Sequence, residues 1–175
     1  MKENKCYENY PLKFVIGAII LQLAINLIGA YIIYLIGLVW LILYLIFVLI
    51  LEIRLLKISC IHCYYYNKRC AFGKGKLCSL FFKKGNPKKF IEKKIGWKDI
   101  IPDFMVSLIP LVVGIALIII NFNLILLILV VFLVLLAFPV NGFLRGSIAC
   151  KHCKQRELGC PAEKLFNKKK SSKDK

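Results

Sequence analysis

The chain has 175 residues, 59% of them hydrophobic, and a formal net charge of +17. Apolar residues gathered into a few unbroken blocks exclude an ordinary soluble globule, and the positive charge lying between and after those blocks points to a membrane surface. No catalytic carboxylate pair, nucleophile–base set or nucleotide motif is visible, so the sequence does not predict an enzyme.

The first block, Phe14 to Leu51, contains no charged residue. As one helix it would run roughly 57 Å, about twice the hydrocarbon thickness of a bilayer. It is therefore expected to fold back between Gly29 and Gly37, giving helices over about 14–33 and 37–56. No polar face recurs along it, which argues against buried core helices, and unbroken apolar runs fit helices rather than a barrel. The run is too long for a signal peptide and lacks a small-residue cleavage site. Gln22 and Asn26 share one helix face and are expected to hydrogen-bond to a neighbouring helix. Arg54, near the block's end, is expected to anchor at the interface.

Next comes Cys60-Ile61-His62-Cys63 with Cys70, a C-x-H-C-x6-C motif. Tyr64, Tyr65 and Tyr66 read as part of an interfacial aromatic belt. Gly73-Lys74-Gly75-Lys76 lacks the spacing of a phosphate loop and reads as a flexible turn. Residues 79–102 form a basic linker. Its Ser79–Lys84 stretch looks like an aromatic and basic edge on the membrane surface. Asn86-Pro87 starts a short helix that sets Phe90, Ile91 and Ile95 against Lys88, Lys89, Lys93 and Lys94, with Trp97 at headgroup level. Such a helix is drawn to anionic lipid.

A second uncharged block, Phe104 to Leu144, has Asn121-Phe122-Asn123 as a polar turn, giving helices over about 104–121 and 124–144. Arg145 matches Arg54. Cys150-Lys151-His152-Cys153 with Cys160 then repeats the first motif with identical spacing. Residues 167–175 read as a disordered basic tail. The expected fold is an all-α membrane protein with four transmembrane helices. Residues 1–78 and 103–166 form two parallel-repeat hairpins, each ending in a small metal-binding cysteine segment. A pseudo-twofold axis along the membrane normal would bring the two segments together.

Orientation follows the basic residues. Twelve lie from Lys57 to Lys98 against the single acid Glu92, ten lie from Arg145 onward, and the hairpin turns carry none. The positive-inside rule puts both termini and both cysteine motifs in the cytoplasm, the cell membrane being the expected site. Thiols there stay reduced, so spaced cysteines favour metal binding or catalysis over structural disulfides.

Two Cys-x2-Cys turns, each followed by a third cysteine at the same interval, make Cys60, Cys63, Cys70, Cys150, Cys153 and Cys160 the candidate ligands. His62 and His152 are additional candidates. The paired spacing resembles the binuclear zinc cluster of fungal transcription factors, in which two such halves hold two zinc ions with two bridging cysteines. The resemblance covers about twenty residues and departs between the halves, where a membrane hairpin replaces a short loop. It therefore implies a ligand geometry and not DNA binding, and no nucleic-acid partner is expected. Three arrangements remain open. Cys60, Cys63, Cys150 and Cys153 could form one tetrahedral zinc site, six cysteines could hold two metals, or each half could close with its own histidine. Lys68, Arg69, Lys74, Lys151, Lys154 and Arg156 are expected to depress the thiol pKa values. Cys6 and Cys78 read as free thiols.

Zinc is the expected metal, in a structural or interaction role with lipid, a protein partner or a second copy of the chain. The x6 interval is wider than the runs that commonly hold an iron–sulfur cluster. A redox protein, by such a cluster or by thiol–disulfide exchange, is the alternative reading, and a soft-metal carrier the second.

Overall fold

Four helices long and apolar enough to cross a membrane organise the chain. The computed structural model describes residues 6–92 and 97–160, with main chain only for 97–100. The expected disordered tail, and Lys93, Lys94, Ile95 and the Trp97 side chain of the linker helix, lie outside the described residues.

The spans are α1 (Leu12–Tyr34), α2 (Leu38–Ile58), α5 (Trp97–Ile120) and α6 (Leu124–Cys150). Between α2 and α5 lie a 3-10 turn (Cys60–His62), α3 (Lys74–Phe81) and α4 (Pro87–Glu92). The first hairpin turns at residues 35–37, where Gly37 takes φ +154°, a conformation that L side chains rarely adopt. Gly29, from which the turn region was counted, lies inside α1, within the helix expected over about 14–33. The second turn falls at Asn121–Asn123, and the Asn123 side chain caps α6 by accepting from the Ile125 N–H at 2.9 Å.

Helix α1 is central. Its buried residues Val15, Ala18, Leu21, Ile25, Gly29 and Ile32 recur every three or four positions. Leu21, Ile25 and Ile32 meet Leu126, Val130 and Leu133 of α6, and Leu111, Val113, Leu117 and Ile118 of α5 close the cluster. On α2 only Tyr44 and Leu56 are buried, so that helix flanks the bundle. The many exposed apolar side chains of the spans are what lipid-facing helices require. Gln22 and Asn26 pair with each other along α1 at 3.4 Å rather than reaching a second helix.

Two prolines shape the bundle. Pro110, inside α5, has no N–H to donate to the Val106 carbonyl one turn earlier. The Tyr44 hydroxyl of α2 donates to that carbonyl at 2.9 Å. It passes α1 at Gly29, where an added Cβ would stand 2.6 Å from the hydroxyl oxygen. Pro139 lies in a wide π-helical stretch of α6, Leu136–Val140, and a second wide stretch, Leu144–Cys150, follows a single α turn at Asn141–Phe143. Wide turns accommodate a missing i→i−4 hydrogen bond and often mark functional positions.

Candidate functional site: the cysteine end of the bundle

The amino-terminal segment and both cysteine motifs meet at one end of the bundle. The last turn of α2 passes into the 3-10 turn Cys60–His62, and the chain then winds through reversals to Gly73 (φ +70°), which opens α3. The second motif follows α6 directly and runs into a short helix, Lys154–Glu157. Equal spacing in the sequence thus takes different local form in the two halves.

Residues Cys6–Tyr10 lie between the two motifs and join them. Tyr7 forms a parallel bridge with Cys153, its N–H donating to the His152 carbonyl at 2.9 Å. The Tyr10 N–H donates to the Arg69 carbonyl at 3.0 Å, and the Tyr10 hydroxyl donates to the Ala149 carbonyl. Asn9 accepts from the Arg69 N–H. Tyr65 is the hub: only 3% exposed, its hydroxyl donates to the Tyr7 carbonyl and accepts from the Lys154 N–H at 2.9 Å. One side chain thereby ties three stretches of chain. Buried Gln155 adds a second link, accepting from the Tyr64 N–H at 2.7 Å.

Of the tyrosine run, Tyr65 points inward, while Tyr64 and Tyr66 are half-buried. Tyr64 carries Lys68 over its ring and packs edge-on against Tyr65, while the Tyr66 hydroxyl donates to the Phe82 carbonyl. The sequence reading missed Tyr65, Gln155 and residues 6–10 as parts of the site. The available signal was a polar, aromatic amino terminus, Cys-Tyr-Glu-Asn-Tyr, that no transmembrane argument had used.

The cysteines gather around this network. Cys63, Cys70 and Cys153 pack against the cluster of Tyr10, Val15, Tyr65, Ala71 and Ala149. Cys63 is close enough to Cys153, Cys70 and Cys160 to feel their charge, and Cys153 feels Cys160 and Cys150. Cys60 has Cys70, Cys78 and Cys63 as thiol neighbours. Cys78 is fully buried, its Sγ 3.7 Å from the Leu56 carbonyl, and Cys6 lies beside Cys153, its Sγ 3.9 Å from that residue's carbonyl. All eight cysteines are free. Among the described residues, no three of His, Cys, Asp and Glu converge closely enough to hold an ion.

The sulfurs accept backbone hydrogen bonds in both halves. Cys63 receives the Tyr65 N–H, Cys153 the Gln155 and Arg156 N–H groups, and Cys70 the Gly75 N–H at 3.3 Å. Burial nevertheless dominates. It pushes the Cys63 thiol up to about 12 and Cys153 up to about 11, with neighbouring thiols adding to the rise. The expected depression by basic residues does not occur at these two thiols. Lys74 is held by Glu52, its Nζ 2.6 and 2.9 Å from the two carboxylate oxygens, and Lys68 sits over the Tyr64 ring.

The two histidines stand in different surroundings. The His62 ring lies under Gly85, where any Cβ would strike it, and its Nδ1 is buried without a hydrogen-bond partner. His152 stacks on Tyr7 with ring centroids 5.1 Å apart. Helix α4 keeps its expected start, the Asn86 side chain accepting from the Lys88 N–H at 3.0 Å, with Lys88 and Lys89 exposed. Its Ile91 rests against Gly159 of the second motif, so part of its apolar face meets protein.

No family model, curated protein or solved structure matches this chain.

Proposed function

We propose that this integral membrane protein binds a thiolate-preferring metal ion, zinc in the first instance, at its two cysteine motifs, and that the metal fastens the two hairpins together. The observation that carries the reading is the packing of Cys63 and Cys153, from opposite halves, against one buried cluster of Tyr10, Tyr65 and Ala149. Amide N–H groups directed at sulfur in both motifs suit thiolates and stabilise their charge once a metal has displaced the protons. Cys60, Cys63, Cys70, Cys150, Cys153 and Cys160 are the proposed ligands. The unpartnered His62 Nδ1 is a further nitrogen donor, and His152 the corresponding one in the second motif. The ion would supply a cross-link and charge neutralisation, which is structural zinc chemistry. The identical spacings support an origin of the two hairpins by duplication, as parallel repeats.

The basic stretches on either side of the motifs support a cytoplasmic location for this end, facing anionic headgroups and available to a protein partner or a second copy of the chain. Thiol–disulfide exchange fits less well, because it needs thiolate near neutral pH and burial keeps Cys63 and Cys153 protonated there. Elemental analysis of the full chain after anaerobic purification tests the proposal. Colourless protein with stoichiometric zinc is the expected result. Brown protein with iron and acid-labile sulfide would replace zinc by an iron–sulfur cluster. A metal-free sample whose Cys63 and Cys153 cycle with a dithiol would overturn metal binding altogether.

A further inference from the structure

The path of the chain between α2 and α4 carries a second reading, independent of metal. After α2 ends at Ile58 the chain does not simply leave the bundle. Gly73 packs against α1, where an added Cβ would come within 2.9 Å of Ile19 and 3.4 Å of Val15. Ile19 lies seven residues into α1, roughly 10 Å from its start. Lys74 reaches Glu52, six residues before the end of α2 and roughly 9 Å inside it. Phe72 lies beneath the Arg145 guanidinium of α6, 5.2 Å from ring centroid to carbon. Residues 72–74 thus stand at the depth of the spans themselves.

From that apex α3 returns. Lys74 contacts Glu52 and Cys78 contacts Leu56, four residues onward on both helices, so α3 runs beside the last turns of α2 in the same direction. Irregular backbone is tolerated at membrane depth only where its polar groups are satisfied and covered by protein. Several of these groups have partners: the Gly73 N–H donates to the Cys70 carbonyl, Lys68 to Tyr65, Asn67 to Gly75, and the Gly75 N–H to Cys70 sulfur. The Lys74–Glu52 pair carries no net charge into that layer.

Helix α3 buries Gly75 and Cys78 against the bundle and leaves the opposite face bare. Leu77, Leu80 and Phe81 are 45%, 79% and 71% exposed and share one face by their i, i+3, i+4 spacing. Exposed Lys76 flanks them on the helix, and exposed Lys83 and Lys84 follow where the chain leaves the layer.

We infer that residues 72–82 are a re-entrant segment, with the Leu77, Leu80 and Phe81 face of α3 seated at the headgroup–acyl boundary of the leaflet at the cysteine end and Lys76, Lys83 and Lys84 binding the phosphates of its anionic phospholipids. Charge complementarity and continuity with the spans select a lipid leaflet over a protein as the occupant. The inference rests on the membrane-spanning helices and not on any bound metal.

The full chain carrying Trp40→Phe, Trp97→Phe and Phe81→Trp, reconstituted in phosphatidylglycerol vesicles, provides the test. The expected result is blue-shifted emission, quenched severalfold more by acyl-brominated lipid than by aqueous iodide. Quenching should fall in phosphatidylcholine vesicles and in Lys83→Ala/Lys84→Ala protein. Leu80→Trp, at the most exposed position of α3, gives a second probe whose folding does not depend on Phe81. Emission quenched by iodide but not by bromine at both positions would overturn the inference. So would blue-shifted emission that neither quencher reaches, because protein would then cover the face. Equal quenching in neutral and anionic vesicles would overturn the preference for anionic lipid, since phosphatidylcholine carries a phosphate without net charge.

Discussion

Replacing Tyr44 by Phe tests the bundle at one hydroxyl. Pro110 strands the Val106 carbonyl in a layer without water, and the Tyr44 hydroxyl is its partner at 2.9 Å. Hydrogen bonds between membrane helices average only about 0.6 kcal/mol, whereas stranding a buried polar group costs about 1–3 kcal/mol. Here the backbone cannot repair itself, because residue 110 has no N–H, so Tyr44→Phe is expected to cost about 1–2 kcal/mol. Two further variants isolate the cause. Pro110→Ala restores an N–H that can bond Val106, so the Tyr44→Phe loss should shrink to a few tenths of a kcal/mol in that background. Gly29→Ala should destabilise the protein because its Cβ would stand 2.6 Å from the Tyr44 oxygen, and Tyr44→Phe should recover part of that loss by removing the oxygen. Reversible unfolding in mixed micelles, followed by circular dichroism, supplies the free energies. If Tyr44→Phe costs the same with proline or alanine at 110, the stranded carbonyl is not what the hydroxyl serves.

At the cysteine end, Tyr65→Phe leaves the Lys154 N–H and the Tyr7 carbonyl without their shared partner. It should lower stability by about 1–3 kcal/mol and speed maleimide labelling of Cys153, read by mass spectrometry against Tyr66→Phe as control. Burial raises the folded thiol pKa of Cys63 to about 12 and of Cys153 to about 11, from 9.0. The folded chain therefore holds protons that the unfolded chain releases first. This contribution is complete below about pH 9 and is lost as pH climbs toward about 11–12. Thermal stability of the metal-free protein should fall across that window, and fall less in Cys63→Ser; a flat profile would refute burial as the cause. Glu52→Gln or Lys74→Met alone leaves one charge at membrane depth and should destabilise the protein more than the double variant does. Thermal unfolding of the three variants in the same detergent decides this.

The four spans were legible because lipid imposes a length and a composition on any helix that crosses it. Two uncharged blocks of about forty residues each leave few other solutions. Asn121-Phe122-Asn123 was equally readable, since asparagine carries its capping chemistry in its own side chain. Gly29 was not. Its need is for close approach to Tyr44 and Pro110, residues distant in sequence, so the reason for a glycine there had no local signature. Gln22 and Asn26 show the same limit. Their shared face was evident, but whether they bond each other or a second helix depends on neighbours that periodicity does not identify.

At the cysteine end, spacing picked out the thiols and missed what assembles them. Counting C-x-H-C-x6-C twice suggests two equal modules, yet the structure gives one motif a 3-10 turn and a climb to Gly73, and the other a wide-turned helix. The difference follows from their attachments. The first motif is tethered on both sides, to α2 behind it and through α3 to α2 again, so its loop must return along the bundle. The second motif extends straight from α6 and takes its position from Tyr7, Tyr65 and Gln155, contacts supplied by the other half and by the amino terminus. Residues 6–10 contact the two motifs through different bonds, so two equal motifs need not acquire equal surroundings. A metal-binding test that treats the halves as interchangeable would miss this. Removing Cys63 takes away a thiol that lies among thiols of its own motif and near those of the second. If the metal joins the hairpins, loss of Cys63 should lower the zinc content of the purified chain and weaken binding at both motifs.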